Sequence, residues 1–452
     1  MVSNMYSVTH STIWNALLQR LFDLKGHGTT VRTELLAGIT TFLTMAYIAV
    51  VNPVVLGEAG MPVAGVAVAT CLAAGCGSIL MGLLSNYPLA LAPGMGLNAY
   101  FTYTVVKGLG LPWQTALGCV FLSGCAFALL TLAGVRRIII NALPRPLFAA
   151  VGGGIGLFIA FIGLKDAGIV VADSATTVAL GSLTRPGAAL AVLGLLVIAG
   201  LQARRVGGAM LVGILVTAAV AWVTGVARFT PADFSMSALG STAFKLDIPA
   251  ALNLRGGVGL SLLEIIFVFL FVDLFDNVGT LVAVTGRAGL TAPDGSIPRL
   301  NRILAADSTS VLVGALTGTS PVTTYVESAA GVAAGGRTGL TAVVVGVLFL
   351  LTLLFAPLVQ AIPTAATAPA LILVGALMMG GLVEVNWRDP VEAIPAFLTV
   401  IITPLTYSIT NGLAFGLTSC AALKLVRGEL RAGDWLLHLL AVLCLVRFVY
   451  LA

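Results

Sequence analysis

The chain has 452 residues, of which 59% are hydrophobic and only 9% are charged, and its mean hydropathy is +1.07. These values exclude an ordinary soluble globular protein and indicate a membrane protein with many spans. The formal net charge is +5, and the positions of its basic residues are explained by membrane topology rather than by nucleic-acid binding.

The N-terminal region, 1–34, is expected to be cytoplasmic and to carry an interfacial helix. Residues 11–24, STIWNALLQRLFDL, have apolar positions at helical spacing with charged residues among them. A membrane-spanning helix needs about 20 apolar residues. Apolar runs of this kind follow, and they predict fourteen spans near 35–55, 64–84, 90–106, 112–133, 147–165, 187–201, 207–227, 258–283, 303–317, 322–335, 339–360, 366–384, 391–407 and 410–426.

The basic residues support this topology, because Lys and Arg accumulate in cytoplasmic loops. With the N-terminus inside, sixteen of them fall on the cytoplasmic side. The opposite side receives six, which are Lys107, Lys165, Arg185, Arg228, Lys245 and Arg255. Fourteen spans with both termini cytoplasmic are therefore predicted. The apolar tail at 435–451 contains Arg447, which favours an interfacial position over an additional span.

Two of the predicted spans are interrupted. Residues 85–103 contain Pro88, Pro93 and two glycines before a short apolar helix, and 317–331 repeat this plan. Each has one strongly polar side chain after the break, Asn98 in the first and Glu327 in the second. Paired broken segments at corresponding positions indicate inverted repeats with a binding site between them near the bilayer midplane. The breaks at 88–96 and 318–324 are therefore expected to be extended segments that meet, each followed by a half-helix.

This plan gives the domain boundaries. The first seven-span repeat is predicted at 35–227, an extracytoplasmic loop at 228–257, the second repeat at 258–426 and the C-terminal tail at 427–452. The fold class is an all-α polytopic membrane protein with two inverted repeats and two half-helices preceded by extended stretches.

Two aspartates lie inside the eighth predicted span, in LFVDLFDNVGT. Asp273 and Asp276 are three residues apart, hence on one face of a helix, and a membrane carboxylate costs several kcal/mol unless it faces a cavity or a partner. Binding of a substrate or a proton is one interpretation, and capping of neighbouring broken helices is the other. Glu34 lies near a span end, where snorkelling or pairing is the expected role. The three histidines and six cysteines form no metal-ligand pattern, and neither a metal nor an organic cofactor is expected.

Several stretches together resemble the AzgA-like purine permeases of the nucleobase–cation symporter-2 family. These are GTTVRTELLAGITTFLTMAYIAVVNP, NYPLALAPGMGLNAYFTY, GIGLFIAFIGLKDAG, FVDLFDNVGT and TTYVESAAGVAAGGRTGLTAVVVGVLFLL, in order from about residue 24 to 426. The resemblance implies a homodimeric transporter of a bacterial-type inner (cytoplasmic) membrane, not an enzyme, that couples proton entry to uptake of adenine, guanine or hypoxanthine. It also implies a core domain of spans 1–4 and 8–11 and a gate domain of spans 5–7 and 12–14.

The resemblance further implies which residues form the site. By motif, substrate binding falls to Glu327, Asp273, Asn98 and Gly96, and coupling or support to Asp276, Thr324 and Ser328. The xanthine and uric acid branch has Asn after the acid or amide of the tenth span, whereas Ser328 follows Glu327 here. This departure favours the AzgA-like branch, and LAPGMGLNAY favours guanine and hypoxanthine over adenine.

The chemistry of these residue types suits a purine. Ionised carboxylates accept N–H donors from the base edge, and an amide or backbone N–H groups can serve its acceptors. Aromatic neighbours could cover the ring, and the sequence offers Phe158, Phe271, Tyr100 and Tyr325 for this role. A buried carboxylate also has a raised affinity for a proton, so one of the three acids could carry the coupled ion, although the sequence leaves sodium coupling open.

An anion exchanger and an intramembrane aspartyl protease are the alternative functions. An anion exchanger on the same architecture has little reason to place two or three acids in its site. An intramembrane aspartyl protease needs two aspartates that face each other from different helices, whereas Asp273 and Asp276 share one helix and no Gly-x-Gly-Asp stretch is present.

Overall fold

The computed structural model describes residues 18–133, 144–230, 236–253, 259–290, 297–359, 361–429 and 434–450. Of the expected N-terminal interfacial helix, residues 11–17 lie outside the described residues, and 18–22 are helical. The predicted spans coincide with helices, or with a strand followed by a helix, and differ from them by a few residues at their ends.

The described elements follow in chain order. The first half contains α1 (Val31–Met45), α2 (Ile48–Gly57), α3 (Val63–Ser85), β1 (Leu91–Pro93), α4 (Met95–Ala99) continued by a π-helix (Tyr100–Gly108), α5 (Trp113–Leu132), α6 (Arg145–Asp166), β2 (Val170–Asp173), β3 (Thr177–Leu180), α7 (Pro186–Ala203) and α8 (Ala209–Val223). A 3-10 helix (Met236–Ser241) and α9 (Ile248–Ala251) lie in the central connection.

The second half also has a strand directly before a short helix. It contains α10 (Gly259–Ala288), α11 (Leu300–Thr317), β4 (Val322–Thr324), α12 (Ser328–Ala333), α13 (Gly339–Thr352), a 3-10 helix (Leu353–Phe355), α14 (Ala356–Val359), α15 (Thr364–Met378), a 3-10 helix (Met379–Glu384), α16 (Pro390–Leu405), α17 (Ile409–Arg427) and α18 (Trp435–Tyr450). Within the described residues, seven helices are long and apolar enough to cross a membrane, and shorter apolar helices accompany them. The prediction of an all-α polytopic membrane protein is confirmed.

The two interrupted spans form the extended segments expected of them. Strands β1 and β4 pair in antiparallel register, with Leu91 opposite Thr324 and Pro93 opposite Val322. The pairing continues at both ends, where the N–H of Gly94 donates to Pro321 at 2.9 Å and that of Tyr325 to Ala90 at 3.0 Å. Each break thereby satisfies backbone groups of the other, which a polypeptide inside a bilayer requires. A short helix then resumes on each side, as predicted.

A hairpin of β2 and β3, not predicted from the sequence, lies between α6 and α7. Its strands pair Val170 with Leu180 and Asp173 with Thr177. The turn is made by Asp173, whose Oδ1 accepts the backbone N–H groups of Ala175 and Thr176 at 2.8 and 2.9 Å. Short β-branched runs on both sides of a polar turn explain the hairpin.

The helices pack mainly in two sets. In the first set, α3 packs on α13 and α11, and α11 packs on α5. In the second set, α6 packs on α15 and α16, and α16 packs on α17. Helices α7 and α8 pack on each other and on α15, so they join the second set. Within the first set, buried Glu34 of α1 accepts the backbone N–H groups of Arg337 and Thr338 at the start of α13, and the hydroxyl of Thr341. Of the two roles expected of Glu34, snorkelling and pairing, the structure shows pairing.

Glycines permit the close crossing of α3 and α13. A Cβ on Gly346 would lie 2.6 Å from the carbonyl oxygen of Gly75, and one on Gly339 would collide with the carbonyl of Gly82. Gly75 and Gly82 are seven residues apart in α3, and Gly339 and Gly346 are seven residues apart in α13. Each pair therefore lies along one face of its helix. Small residues bring backbones together where lipid supplies no hydrophobic driving force between helices.

Replacing Gly346 with leucine is therefore expected to lower stability by about 1–3 kcal/mol, because the new side chain has to separate the two backbones. Thermal unfolding of the purified protein in detergent measures this effect. Gly200 of α7 is the matched control, since a Cβ there meets no heavy atom within 4 Å. Equal unfolding temperatures for Gly346→Leu and Gly200→Leu would contradict the proposed crossing.

Candidate functional site

The two breaks are tied together by side chains as well as by backbone. The hydroxyl of Ser320 donates to Asn98 Oδ1, and the hydroxyl of Tyr325 donates to the carbonyl of Pro93. Ser328 Oγ accepts the backbone N–H of Ala90 at 3.0 Å. Ser328, one of the predicted supporting residues, therefore connects the second break to the first. Asn98 is fully buried, with its side-chain oxygen directed at the other break.

Glu327 lies directly before α12 and is partly exposed. Its Oε1 accepts a hydrogen bond from the hydroxyl of Tyr47 at 3.1 Å. Asp276 of α10 lies near enough to interact electrostatically with Glu327, Tyr47 and Tyr325. The structure thus brings together two acids and two tyrosines from the first, eighth and tenth predicted spans.

The two aspartates of α10 have different environments. Asp273 is buried, with 3% of its surface exposed, whereas Asp276 is exposed to solvent although it lies among residues of several helices. Asp276 therefore borders space that water can enter. Asn277 follows it and is fully buried, and within the described part of the chain neither polar atom of its side chain has a hydrogen-bond partner.

Gly96 lies in α4, directly after the first break, Thr324 lies in β4 of the second break, and both are buried. A Cβ on Gly96 would lie 2.6 Å from Cγ2 of Ile155, so glycine permits α4 to approach α6 of the other packing set. Thr324 pairs through its backbone with Leu91, and its hydroxyl has no hydrogen-bond partner among the described residues.

The candidate aromatic residues divide into two groups. Tyr325 interacts electrostatically with Glu327 and is 6% exposed, so it lies at the carboxylates. Tyr100 packs edge-on against Phe269 with ring centroids 5.0 Å apart, and Phe158 packs edge-on against Tyr407 at 5.6 Å. Phe271 is also buried.

A second polar cluster lies at the far end of the π-helix, and a contact beside it joins the two packing sets. Glu58 accepts from Lys107 at 2.5 Å and from the hydroxyl of Tyr103 at 3.1 Å. The hydroxyl of Thr104 donates to the carbonyl of Tyr407, between α16 and α17, at 2.8 Å. These contacts lie on the predicted extracytoplasmic side, where Thr104 connects the first set to the second.

Tyr47 was not identified from the sequence. The feature that could have pointed to Tyr47 is the interruption between α1 and α2 at Ala46–Tyr47. This interruption lies inside one apolar run, which also contains Asn52 and Pro53. A tyrosine at a helix interruption inside a span is a candidate hydrogen-bond donor, because its hydroxyl needs a partner when buried. The partner itself lies 280 residues away in the sequence, which no local pattern reveals.

Comparison with known proteins identifies the family. A family model described as a permease family, Xan_ur_permease, matches residues 32–415. The chain belongs to this permease family. Adenine permease AdeQ of Escherichia coli (strain K12) is 47% identical over 419 residues, which cover 92% of each chain. Guanine/hypoxanthine permease PbuO of Bacillus subtilis (strain 168) is 44% identical, over 95% of this chain and 100% of the relative. The resemblance drawn from the sequence motifs is confirmed, as is the expectation of a transporter rather than an enzyme.

The permease also resembles a solved transporter structure. The transmembrane domain of a cyanobacterium bicarbonate transporter, BicA, superposes with a TM-score of 0.65, covering 85% of this chain and 97% of the other. The two sequences are 15% identical, so this likeness concerns the fold alone. It agrees with a multi-pass membrane protein.

Proposed function

We propose that this permease is a proton-coupled symporter that imports purine nucleobases, with guanine and hypoxanthine favoured and adenine a further candidate. The observation that carries the proposal is the Glu327 carboxylate, which is held by Tyr47 and lies beside Asp276 where the two broken spans meet. The relatives named above are permeases of adenine and of guanine and hypoxanthine, which supports the substrate class.

A carboxylate at this position suits 6-oxopurines. Guanine carries neighbouring N–H donors on its pyrimidine ring, and hypoxanthine carries one, so each can donate to Glu327. Charge-assisted hydrogen bonds of this kind are about twice as strong as neutral ones. Adenine offers an acceptor at the corresponding ring nitrogen, so it would have to donate through its amino group or its imidazole edge. This chemistry supports the preference for guanine and hypoxanthine.

The proposed architecture is two inverted repeats of seven spans with a core and a gate domain. The two packing sets of the fold support this division, since the first contains helices of spans 1–4 and 8–11 and the second those of spans 5–7 and 12–14. The contact of Thr104 with Tyr407 then joins the two domains on the extracytoplasmic side. Transport by alternating access requires that this contact breaks while the site closes on the cytoplasmic side. A homodimer in a bacterial-type inner membrane, with cytoplasmic termini, completes the proposal.

Uptake of radiolabelled hypoxanthine into proteoliposomes, with unlabelled purines as competitors, tests the substrate class. Guanine and hypoxanthine are expected to compete more strongly than adenine, and collapse of the proton gradient is expected to stop accumulation while exchange continues. Replacing the proton gradient with a sodium gradient tests the coupling ion. Uptake of sulfate or bicarbonate without any purine uptake would instead favour an anion exchanger on the same fold.

A further inference from the structure

Tyr47 occupies an unusual position for a membrane tyrosine. It lies in the interruption between α1 and α2 and is 1% exposed, so its hydroxyl is withdrawn from bulk water. The group that this hydroxyl contacts is Glu327 Oε1, at 3.1 Å. A buried tyrosine hydroxyl forms its strongest hydrogen bonds with charged acceptors. Such a bond also fixes the orientation of the acceptor. The first span is thereby connected to the carboxylate of the tenth.

The hydrogen bond has a specific consequence for the charge of Glu327. Asp276 is the acid whose charge interacts with Glu327, and like charges oppose ionisation of both groups. Tyr325, the other tyrosine near these acids, directs its hydroxyl to the carbonyl of Pro93. Among the described residues, Tyr47 is therefore the tyrosine that donates to Glu327. A donor of this kind stabilises the ionised form and opposes the effects of burial and of Asp276.

We propose that Tyr47 is a positioning residue of the permease: its hydroxyl holds Glu327 ionised and oriented for the N–H of the substrate, and so sets the lower pH limit of substrate binding. This inference rests on the proposed function. The direction of the pH effect follows from the charge that binding requires. Binding needs the ionised carboxylate and is lost as the pH falls and Glu327 takes up a proton. Without the Tyr47 hydroxyl the ionised form is less stable, so this loss occurs at a higher pH.

The test uses Tyr47→Phe in the full-length purified protein, with two readouts between pH 4.5 and 8.5. The first is binding of radiolabelled hypoxanthine, and the second is the infrared carbonyl signal of the protonated Glu327 carboxyl group, identified by subtraction of the Glu327→Gln spectrum. In both readouts the midpoint is expected to rise by roughly one pH unit, because a hydrogen bond to a charged group is lost. At the wild-type midpoint, the variant is expected to bind several-fold less hypoxanthine than the wild-type protein.

The matched control is Tyr103→Phe. Tyr103 also donates to a glutamate at 3.1 Å, but its acceptor is Glu58 of the extracytoplasmic cluster. This variant loses the same type of bond and should leave both midpoints of the site unchanged. A general structural effect of removing a buried hydroxyl would move both variants alike.

The outcomes separate the two proposals. If wild-type protein binds hypoxanthine and Tyr47→Phe moves neither midpoint, the role of Tyr47 is refuted and the proposed substrate stands. If wild-type protein binds no purine while the infrared midpoint of Tyr47→Phe rises, the substrate proposal fails and Tyr47 still controls the charge of Glu327. Equal shifts in Tyr47→Phe and Tyr103→Phe would also overturn the inference, because the effect would then be nonspecific.

Discussion

Replacing Glu327 with alanine is expected to abolish purine binding while expression and thermal stability stay near those of the wild-type protein. The carboxylate is partly exposed and accepts one side-chain hydrogen bond, from Tyr47, among the described residues, so little of the fold depends on it. Loss of one or two charge-assisted hydrogen bonds to the substrate removes about 1.5–3 kcal/mol each, which is tenfold or more in affinity per bond. Equilibrium binding of radiolabelled hypoxanthine to purified protein measures the effect.

Glu34→Ala serves as the control, because it is expected to lower stability and to leave purine binding intact. Its carboxylate is fully buried and accepts three hydrogen bonds at the start of α13, so its removal leaves buried donors unsatisfied. We expect that variant to lose thermal stability, and to bind hypoxanthine in the fraction that remains folded. Wild-type affinity in folded Glu327→Ala would remove Glu327 from the substrate site.

The positions of the spans could be predicted because the bilayer imposes one simple requirement on each of them. A run of apolar residues bounded by polar turns marks a span, and the predicted 64–84 and 410–426 agree closely with α3 and α17. The breaks were predictable for a related reason, since Pro and Gly inside an apolar run leave backbone groups that need partners. The pairing of Leu91 with Thr324 follows from that need, but its register depends on two segments far apart in the chain.

The polar contacts of the site were less accessible to prediction. A carboxylate inside a span is costly and therefore marks a candidate site, which is why Glu327 and the two aspartates could be named as candidates from the sequence. Tyr47 carries no charge and occurs in an apolar run, and its role depends on a partner in the tenth span. Similarly, the sequence suggested a substrate contact for Asn98, whereas in this structure its oxygen accepts from Ser320. The substrate contact of Asn98 stays a prediction.

Asp273 and Asp276 are expected to divide the work of binding and coupling between them. Both lie on α10, but Asp273 is 3% exposed and Asp276 is open to solvent near Glu327. A group that takes up the transported proton must be reached by water, and Asp276 meets this requirement. A charge-assisted hydrogen bond to a substrate is strongest where water is excluded, which suits Asp273, the residue that the family motif assigns to purine contact.

Replacement by asparagine separates the two roles, because the amide keeps the shape of the side chain and removes its ionisation. Asp273→Asn is expected to weaken purine binding by roughly 1–3 kcal/mol, the cost of one charge-assisted hydrogen bond. Asp276→Asn should chiefly impair accumulation driven by a proton gradient, with a smaller effect on equilibrium binding. Purified protein gives the binding constants and proteoliposomes give the accumulation ratio, so each variant is measured in both assays. If Asp276→Asn loses binding and Asp273→Asn keeps it, the roles are reversed, and the solvent-exposed acid beside Glu327 is then the one that contacts the purine.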